Sequence, residues 1–176
     1  MVRAVIGAAV LAGSSVGAAG QLIGHSVRAQ WFFPDDSTQI ESHTVVVSDE
    51  VELPPEKIFN DSKYSIDLGD DSVLFSFNAV AHWQAVDFNG WRFTDVFGTI
   101  PGVIDYQLHS WSAGVTHTDA IVVGHDADAF WANFAGVSVA GDGEWIRLAV
   151  TFVPAPGTVA LAALASLPIL RRRRGI

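Results

Sequence analysis

A chain of 176 residues with a formal net charge of −9 and no cysteine is long enough to bury one core of ordinary size. Without cysteine it has no disulfide staple, thiolate metal site or thiol nucleophile. The acidic balance repels phosphate backbones and anionic lipid, so no nucleic-acid partner is expected.

Residues 1–19 read as a secretory signal peptide. Arg3 supplies the positive start, residues 4–12 an apolar run, and Gly17-Ala18-Ala19 the small residues that signal peptidase requires. Cleavage is expected after Ala19, with Val27-Arg28-Ala29 as a weaker site. All 19 acidic residues lie within 20–156, where only Arg28, Lys57, Lys63, Arg92 and Arg147 are basic, a net of −14. A surface of that sign stays soluble and attracts cations.

The body, residues 20–152, alternates with a period of two and predicts an all-β domain. Ile23, Val27, Ala29, Trp31 and Phe33 share one face, with Ser26, Arg28 and Gln30 on the other. Pro34-Asp35-Asp36-Ser37 turns the chain, and Thr44 to Val47 form a second β-branched run. Residues 49–56, acidic and proline-containing, read as an edge or loop. Tyr64, Ile66 and Leu68 alternate with Ser65 and Asp67, then Gly69-Asp70-Asp71 turns into a strand at 73–77. Residues 79–86 leave room for one helical turn. Asn89-Gly90, between two aromatic-rich arms, predicts a type I′ hairpin, because both central residues of that turn need φ > 0. After a turn at Ile100-Pro101-Gly102, Ile104, Tyr106 and Leu108 point away from Asp105, Gln107 and His109. Strands are expected at 121–123 and 130–134. In the last strand Ile146, Leu148, Val150 and Phe152 oppose Trp145, Arg147, Ala149 and Thr151. About eight to ten short strands with no internal repeat suit an antiparallel β-sandwich or jelly roll, with an immunoglobulin-like sandwich as the near neighbour.

Residues 153–176 have a different character. Residues 157–170 are uncharged and mostly Ala, Leu, Val and Ile. As a helix they would span about 21 Å, against roughly 30 Å for a bilayer's hydrocarbon core. Pro154 and Pro156 bar a regular helix or an inner strand just before them. Arg171, Arg172, Arg173 and Arg174 place positive charge at the far end, which the positive-inside rule holds on the cytoplasmic side. Long arginine side chains snorkel and ease the short span. The segment reads as a marginal membrane stop.

Val153-Pro154-Ala155-Pro156-Gly157-Thr158, the apolar run and the arginine cluster together resemble a PEP-CTERM sorting signal. That resemblance covers 153–176 and implies cleavage near the proline motif by an exosortase, a membrane-embedded cysteine protease-like enzyme of Gram-negative bacteria. It implies export, transient inner-membrane insertion through the C-terminal helix, and then a place at the cell surface or outside the cell. The expected role is structural or adhesive, within the exopolysaccharide matrix of a biofilm. The family's usual central Glu is Ala155 here, which bears on cleavage more than on export. An ordinary C-terminal anchor is the alternative. The body also resembles the β-rich ectodomains that precede such tails, at Asn133-Phe134-Ala135-Gly136-Val137 and in the closing strand, and no activity is carried over from that likeness.

Two chemistries are candidates within the body. Asp126, Asp128, Asp142 and Glu144 sit in acidic turns and could donate oxygen ligands to Ca²⁺, although no EF-hand spacing is present and such turns need Asp and Gly for their own sake. Trp91, Trp131 and Trp145 are candidates for carbohydrate binding: a flat indole stacks on a pyranose, and neighbouring carboxylates and amides accept its hydroxyls. Trp131 and Trp145 fall opposite the apolar face of their strands, and Trp91 sits beside the expected hairpin tip. No nucleophile elbow, phosphate loop or dinucleotide fingerprint occurs, and no enzymatic activity is expected. His109, His117 and His125 would need neighbouring strands to align them before they could share a metal. Apart from candidate Ca²⁺, no cofactor is expected.

Overall fold

The computed structural model describes residues 22–58 and 63–153, and the alternation of the last strand is realised there residue by residue. Ile146, Leu148, Val150 and Phe152 are buried, while Arg147 and Thr151 face solvent. Twelve strands occur among the described residues: β1 (Ser26–Phe32), β2 (Gln39–Val46), β3 (Tyr64–Leu68), β4 (Ser72–Phe77), β5 (Ala81–His82), β6 (Gly90–Asp95), β7 (Val103–Trp111), β8 (Val115–Thr116), β9 (Val122–His125), β10 (Ala129–Asn133), β11 (Ser138–Val139) and β12 (Trp145–Phe152). Two 3-10 turns, Pro55–Lys57 and Thr118–Ala120, are the only helical elements among them. The expected eight to ten strands become twelve because β5, β8 and β11 are two-residue pairings too short to leave a periodic signal. Residues 79–86 hold β5 and no helical turn.

Every strand pairing is antiparallel. The sheets run β2-β1-β6-β10-β9, β3-β4-β12-β7 and, smallest, β5-β11-β8. The inner faces of the two larger sheets share one apolar cluster, with Trp91, Phe93 and Ala132 on one side and Phe75, Ile146 and Leu148 on the other. Across it, Trp91 Nε1 donates to the Tyr64 hydroxyl at 3.0 Å, and the Tyr106 and Phe130 rings lie 5.1 Å apart. Each large apolar side chain buried this way contributes about 1.5–3 kcal/mol before ordering costs. The arrangement is consistent with a β-sandwich.

Three local expectations are corrected. Asn89-Gly90 is no hairpin tip: Gly90 opens β6 and pairs with Phe32 on one side and Asn133 on the other. Among the described residues the glycines at positive φ are Gly24, Gly98, Gly136 and Gly143. Gly90 is required for a different reason, since a Cβ there would lie 1.9 Å from the Ala132 carbonyl oxygen. Trp91, expected near an exposed tip, is therefore mid-sheet and fully buried. Ile104 is 53% exposed, because the register slips between Thr151 and Phe152, whose partners are Asp105 and Val103. That bulge takes Ile104 out of the inward series.

Strand direction sorts the loops into two ends. At the first end, Leu22 N donates to Asp70 O at 3.2 Å, Val96 N to Ser26 O at 3.1 Å, Asp95 N to Asp128 O at 3.0 Å and Val153 N to Gly102 O at 2.9 Å. Both Leu22 and Val153 lie here. At the far end, Phe88 N donates to Pro34 O at 3.0 Å, Trp83 N to Val137 O at 3.0 Å and Phe77 N to Glu144 O at 2.8 Å. The eight residues of β12 separate the ends by about 24 Å, at roughly 3.4 Å per residue. The weaker cleavage site, Val27-Arg28-Ala29, would cut inside β1, where Val27 and Ala29 are fully buried.

The expected signal peptide, residues 1–19, and the sorting-signal residues Pro154, Ala155, Pro156 and Arg171 to Arg174 lie outside the described residues. Among those described, no helix is long and apolar enough to cross a membrane.

Candidate functional site

Two concavities open at the far end. The larger, about 540 Å³, lies on the outer face of the β3-β4-β12-β7 sheet and is lined by Leu74, Ser76, Phe77, Ser110, Gly143, Glu144, Trp145 and Arg147. Its walls follow from period-two geometry: Trp145 and Arg147 are the outward residues at the start of β12, facing Ser76 and Leu74 of β4, with Ser110 of β7 beside Arg147. Serine is small, so the indole and guanidinium stand above their neighbours. Trp145 is held by its backbone, its N–H donating to Ser112 Oγ at 2.8 Å and its carbonyl accepting from Ser112 N at 3.0 Å. Glu144 Oε2 accepts from Gly114 N at 3.0 Å, and a Cβ at Gly114 would lie 2.1 Å from Glu144 Oε1. Gly114 thus makes room for that carboxylate.

Arg147 also acts along the sheet. Asp67, on the same face, carries a carboxyl raised above its usual value, chiefly because burial disfavours its charge and secondarily because of the Glu52 charge, with Arg147 opposing both. Glu52 is buried and accepts from Ser48 N at 2.8 Å and Leu68 N at 2.7 Å.

The second concavity, about 250 Å³, lies at the rim and is lined by Trp31, Phe33, Lys63, Tyr64, Ala81, His82, Trp83, Gln84 and Asn89. Trp31 continues the inward series of β1 but reaches the open end, so it is half-buried where Val27 and Ala29 are covered. Its Nε1 donates to Asn89 Oδ1 at 3.2 Å. The backbone N–H of Asn89 donates to Asn133 Oδ1 at 2.9 Å, and Asn133 Nδ2 donates to Asp87 O at 3.0 Å. Sequence reasoning missed this cavity, because its lining comes from four separated segments and none carries a local motif.

The remaining predicted residues are dispersed. Trp131 is on the outer face of β10, as expected, but its ring covers Gly124 of β9 and lies under Arg92, whose guanidinium carbon is 5.5 Å from the ring centroid. The other side of Arg92 covers Phe32 at 5.3 Å. Trp131 is therefore part of a stack the sheet makes with itself. Trp91 presents no surface to a ligand. The four candidate Ca²⁺ ligands are not drawn together: Asp126 and Asp128 belong to the β9–β10 turn, where Asp126 Oδ1 accepts from Asp128 N and Ala129 N, while Asp142 and Glu144 precede β12. No group of three or more His, Cys, Asp or Glu side chains is placed to hold a metal among the described residues, and His109, His117 and His125 form none.

Of the residues singled out from sequence, Trp145 and Glu144 meet in one groove. Arg147 was legible beside them at the next outward position. No family model, curated protein or solved structure matches this chain.

Proposed function

We propose that the chain is an exported protein of the extracellular polysaccharide matrix, sorted through a C-terminal signal of the PEP-CTERM kind, with a structural and adhesive role exercised by holding glycan in the Trp145 groove. The observation that carries this reading is the groove itself: an indole, a carboxylate, a guanidinium and two serine hydroxyls around about 540 Å³. An indole offers a flat apolar plate to one face of a pyranose, while Glu144 accepts hydroxyl protons and Arg147 donates to ring and hydroxyl oxygens. The groove is open, which suits the interior of a polysaccharide chain. It also lies at the end away from Val153, so a chain tethered through the residues that follow would present the groove outward. The reading assigns no catalytic step and uses no Ca²⁺.

Nested pairing supports the finer description of the fold as a jelly roll. β4 pairs with β12, β6 with β10, and β7 runs beside β9 within them.

The test is titration of the purified full chain with exopolysaccharide fragments, followed by tryptophan fluorescence. Trp145→Ala should weaken binding about tenfold or more, the equivalent of about 1.4 kcal/mol, while Trp131→Ala leaves it unchanged. Absence of binding, or an unchanged affinity in Trp145→Ala, rejects the groove. Sorting is tested separately by intact mass and fractionation of the native protein: an untrimmed chain recovered from the cytosol rejects export.

A further inference from the structure

We infer that the outer face of the β2-β1-β6-β10-β9 sheet is a second glycan-binding surface, and that its ligand is a polyuronate, a polysaccharide carrying a carboxylate on each sugar ring. Charge sets this face apart. Acidic residues outnumber basic ones 19 to five in the body, yet the outward side chains of these five strands include Arg28 and Arg92 and no Asp or Glu. The acids within the strands, Glu41 and Asp95, pair with Trp31 and Val27 of the inward series. Glu41 is buried, and the Asp95 carboxylate accepts from the backbone N–H groups of Phe97 and Ile100.

Arg28 on β1 pairs with Thr94, and Arg92 on β6 pairs with Gln30, so the two arginines are diagonal neighbours about 7–8 Å apart on one face. Arg92 is half-buried and flanked by aromatic rings, its guanidinium carbon 5.3 Å from the Phe32 centroid and 5.5 Å from that of Trp131. A guanidinium stacked on rings keeps its N–H edge for other partners. Neither arginine makes a hydrogen bond or ion pair among the described residues. A pre-organised fork of donors with no carboxylate of its own complements one brought by a ligand. Ser42, Thr44 and Thr94 add outward hydroxyl groups suited to a sugar. Two other polymers fit less well. A peptide is captured through its backbone at a sheet edge, whereas the middle of a sheet face presents side chains alone. Duplex nucleic acid concentrates one charge per about 1.7 Å, which the acidic loops at both ends of the face repel. A polyuronate spreads its charge over whole rings, and the acids of the opposite sheet, about 10 Å away, are screened over a similar length.

This inference rests on the glycan-matrix reading but uses no residue of the Trp145 groove, so each can fail alone. The experiment is calorimetric titration of the full chain with short oligomers of sodium polymannuronate, and in parallel with dextran oligomers and poly-L-glutamate, repeated on Arg28→Gln, Arg92→Gln and Trp145→Ala. Each arginine substitution should weaken polymannuronate binding about tenfold and leave dextran binding as it was, while Trp145→Ala leaves polymannuronate binding unchanged. Arg28 is exposed, so its substitution spares the fold even where Arg92→Gln loosens the packing around Phe32 and Trp131. No polymannuronate binding, an affinity indifferent to Arg28→Gln, or an equal loss for dextran overturns the proposal. Poly-L-glutamate bound as tightly as polymannuronate overturns it in favour of an acidic protein partner, and loss of polymannuronate binding in Trp145→Ala overturns it in favour of the groove. Loss of exopolysaccharide-fragment binding in Trp145→Ala with polymannuronate binding intact separates the two surfaces.

Discussion

At the end where Leu22 and Val153 lie, the loops close on one another mainly through backbone hydrogen bonds, and the apolar side chains left outside, Phe97 at 71% exposure and Ile23 at 42%, line neither of the two concavities. At the opposite end β1, β7 and β12 carry Trp31, Trp111 and Trp145 at or next to their termini, and both concavities open there. The difference shows what a sandwich does with aromatic residues. Within the five-stranded sheet a tryptophan is either buried, as Trp91 is on the central strand β6, or laid flat on its own sheet, as Trp131 is over Gly124. Trp31 and Trp145 are only half-buried, and each lines one of the concavities.

Glycine substitutions give the largest contrast between the ends. Gly90→Ala would drive a methyl group into the Ala132 carbonyl, at 1.9 Å, and should cost about 4 kcal/mol or more, or abolish folding. Gly98, at the end where Leu22 and Val153 lie, with φ of 65° and nothing within 4 Å, should lose only about 1 kcal/mol on conversion to alanine. Urea denaturation of both variants checks this. Equal losses would mean that β6 and β10 do not approach so closely.

Titration gives a smaller contrast, of opposite sign at the two ends. Asp67, towards the Leu22 and Val153 end of β3, is raised by burial and by Glu52, so its ionised form opposes folding. That penalty is present at neutral pH and disappears as pH falls below the unfolded value near 3.8. Asp67→Asn should therefore raise Tm at pH 7 and leave it unchanged at pH 3. Asp35, at the far end, is lowered chiefly by its hydrogen bond to the Ser37 side chain, then by those to Thr38 and to the Ser37 backbone. Its contribution is present above the unfolded value and is lost as pH falls through the depressed one. Asp35→Ala should lower Tm slightly at pH 7 and not at all in strong acid. Thermal scans at the two pH values read both effects, and like signs would break the contrast.

Much of the strand framework was legible because alternation is a property of neighbours in sequence. Tyr64, Ile66 and Leu68, and the series from Ile146 to Phe152, are buried as their period demands, and the same period set Trp145 outward. Asn89-Gly90 misled because a glycine in a turn and a glycine under a neighbouring strand look alike in sequence; only the approach of Ala132 distinguishes them. The acidic turns misled for a related reason. Aspartates such as Asp126 serve their own backbone, accepting N–H groups two and three residues on, and nothing local says whether a second turn comes near enough to share a cation.

By itself the sequence determined the all-β class, the inward and outward sides of its regular strands, the acidic surface and the place of Trp145 on an outer face, since each follows from residue type and a period of two. Which strands become neighbours was decided only in three dimensions, and with it the burial of Trp91, the bulge that releases Ile104, and the meeting of Trp31, Lys63, Trp83 and Asn89 at one rim. The physical reason is distance along the chain. Pairing between strands far apart in sequence is fixed by packing of the whole core, and no window of adjacent residues contains that information.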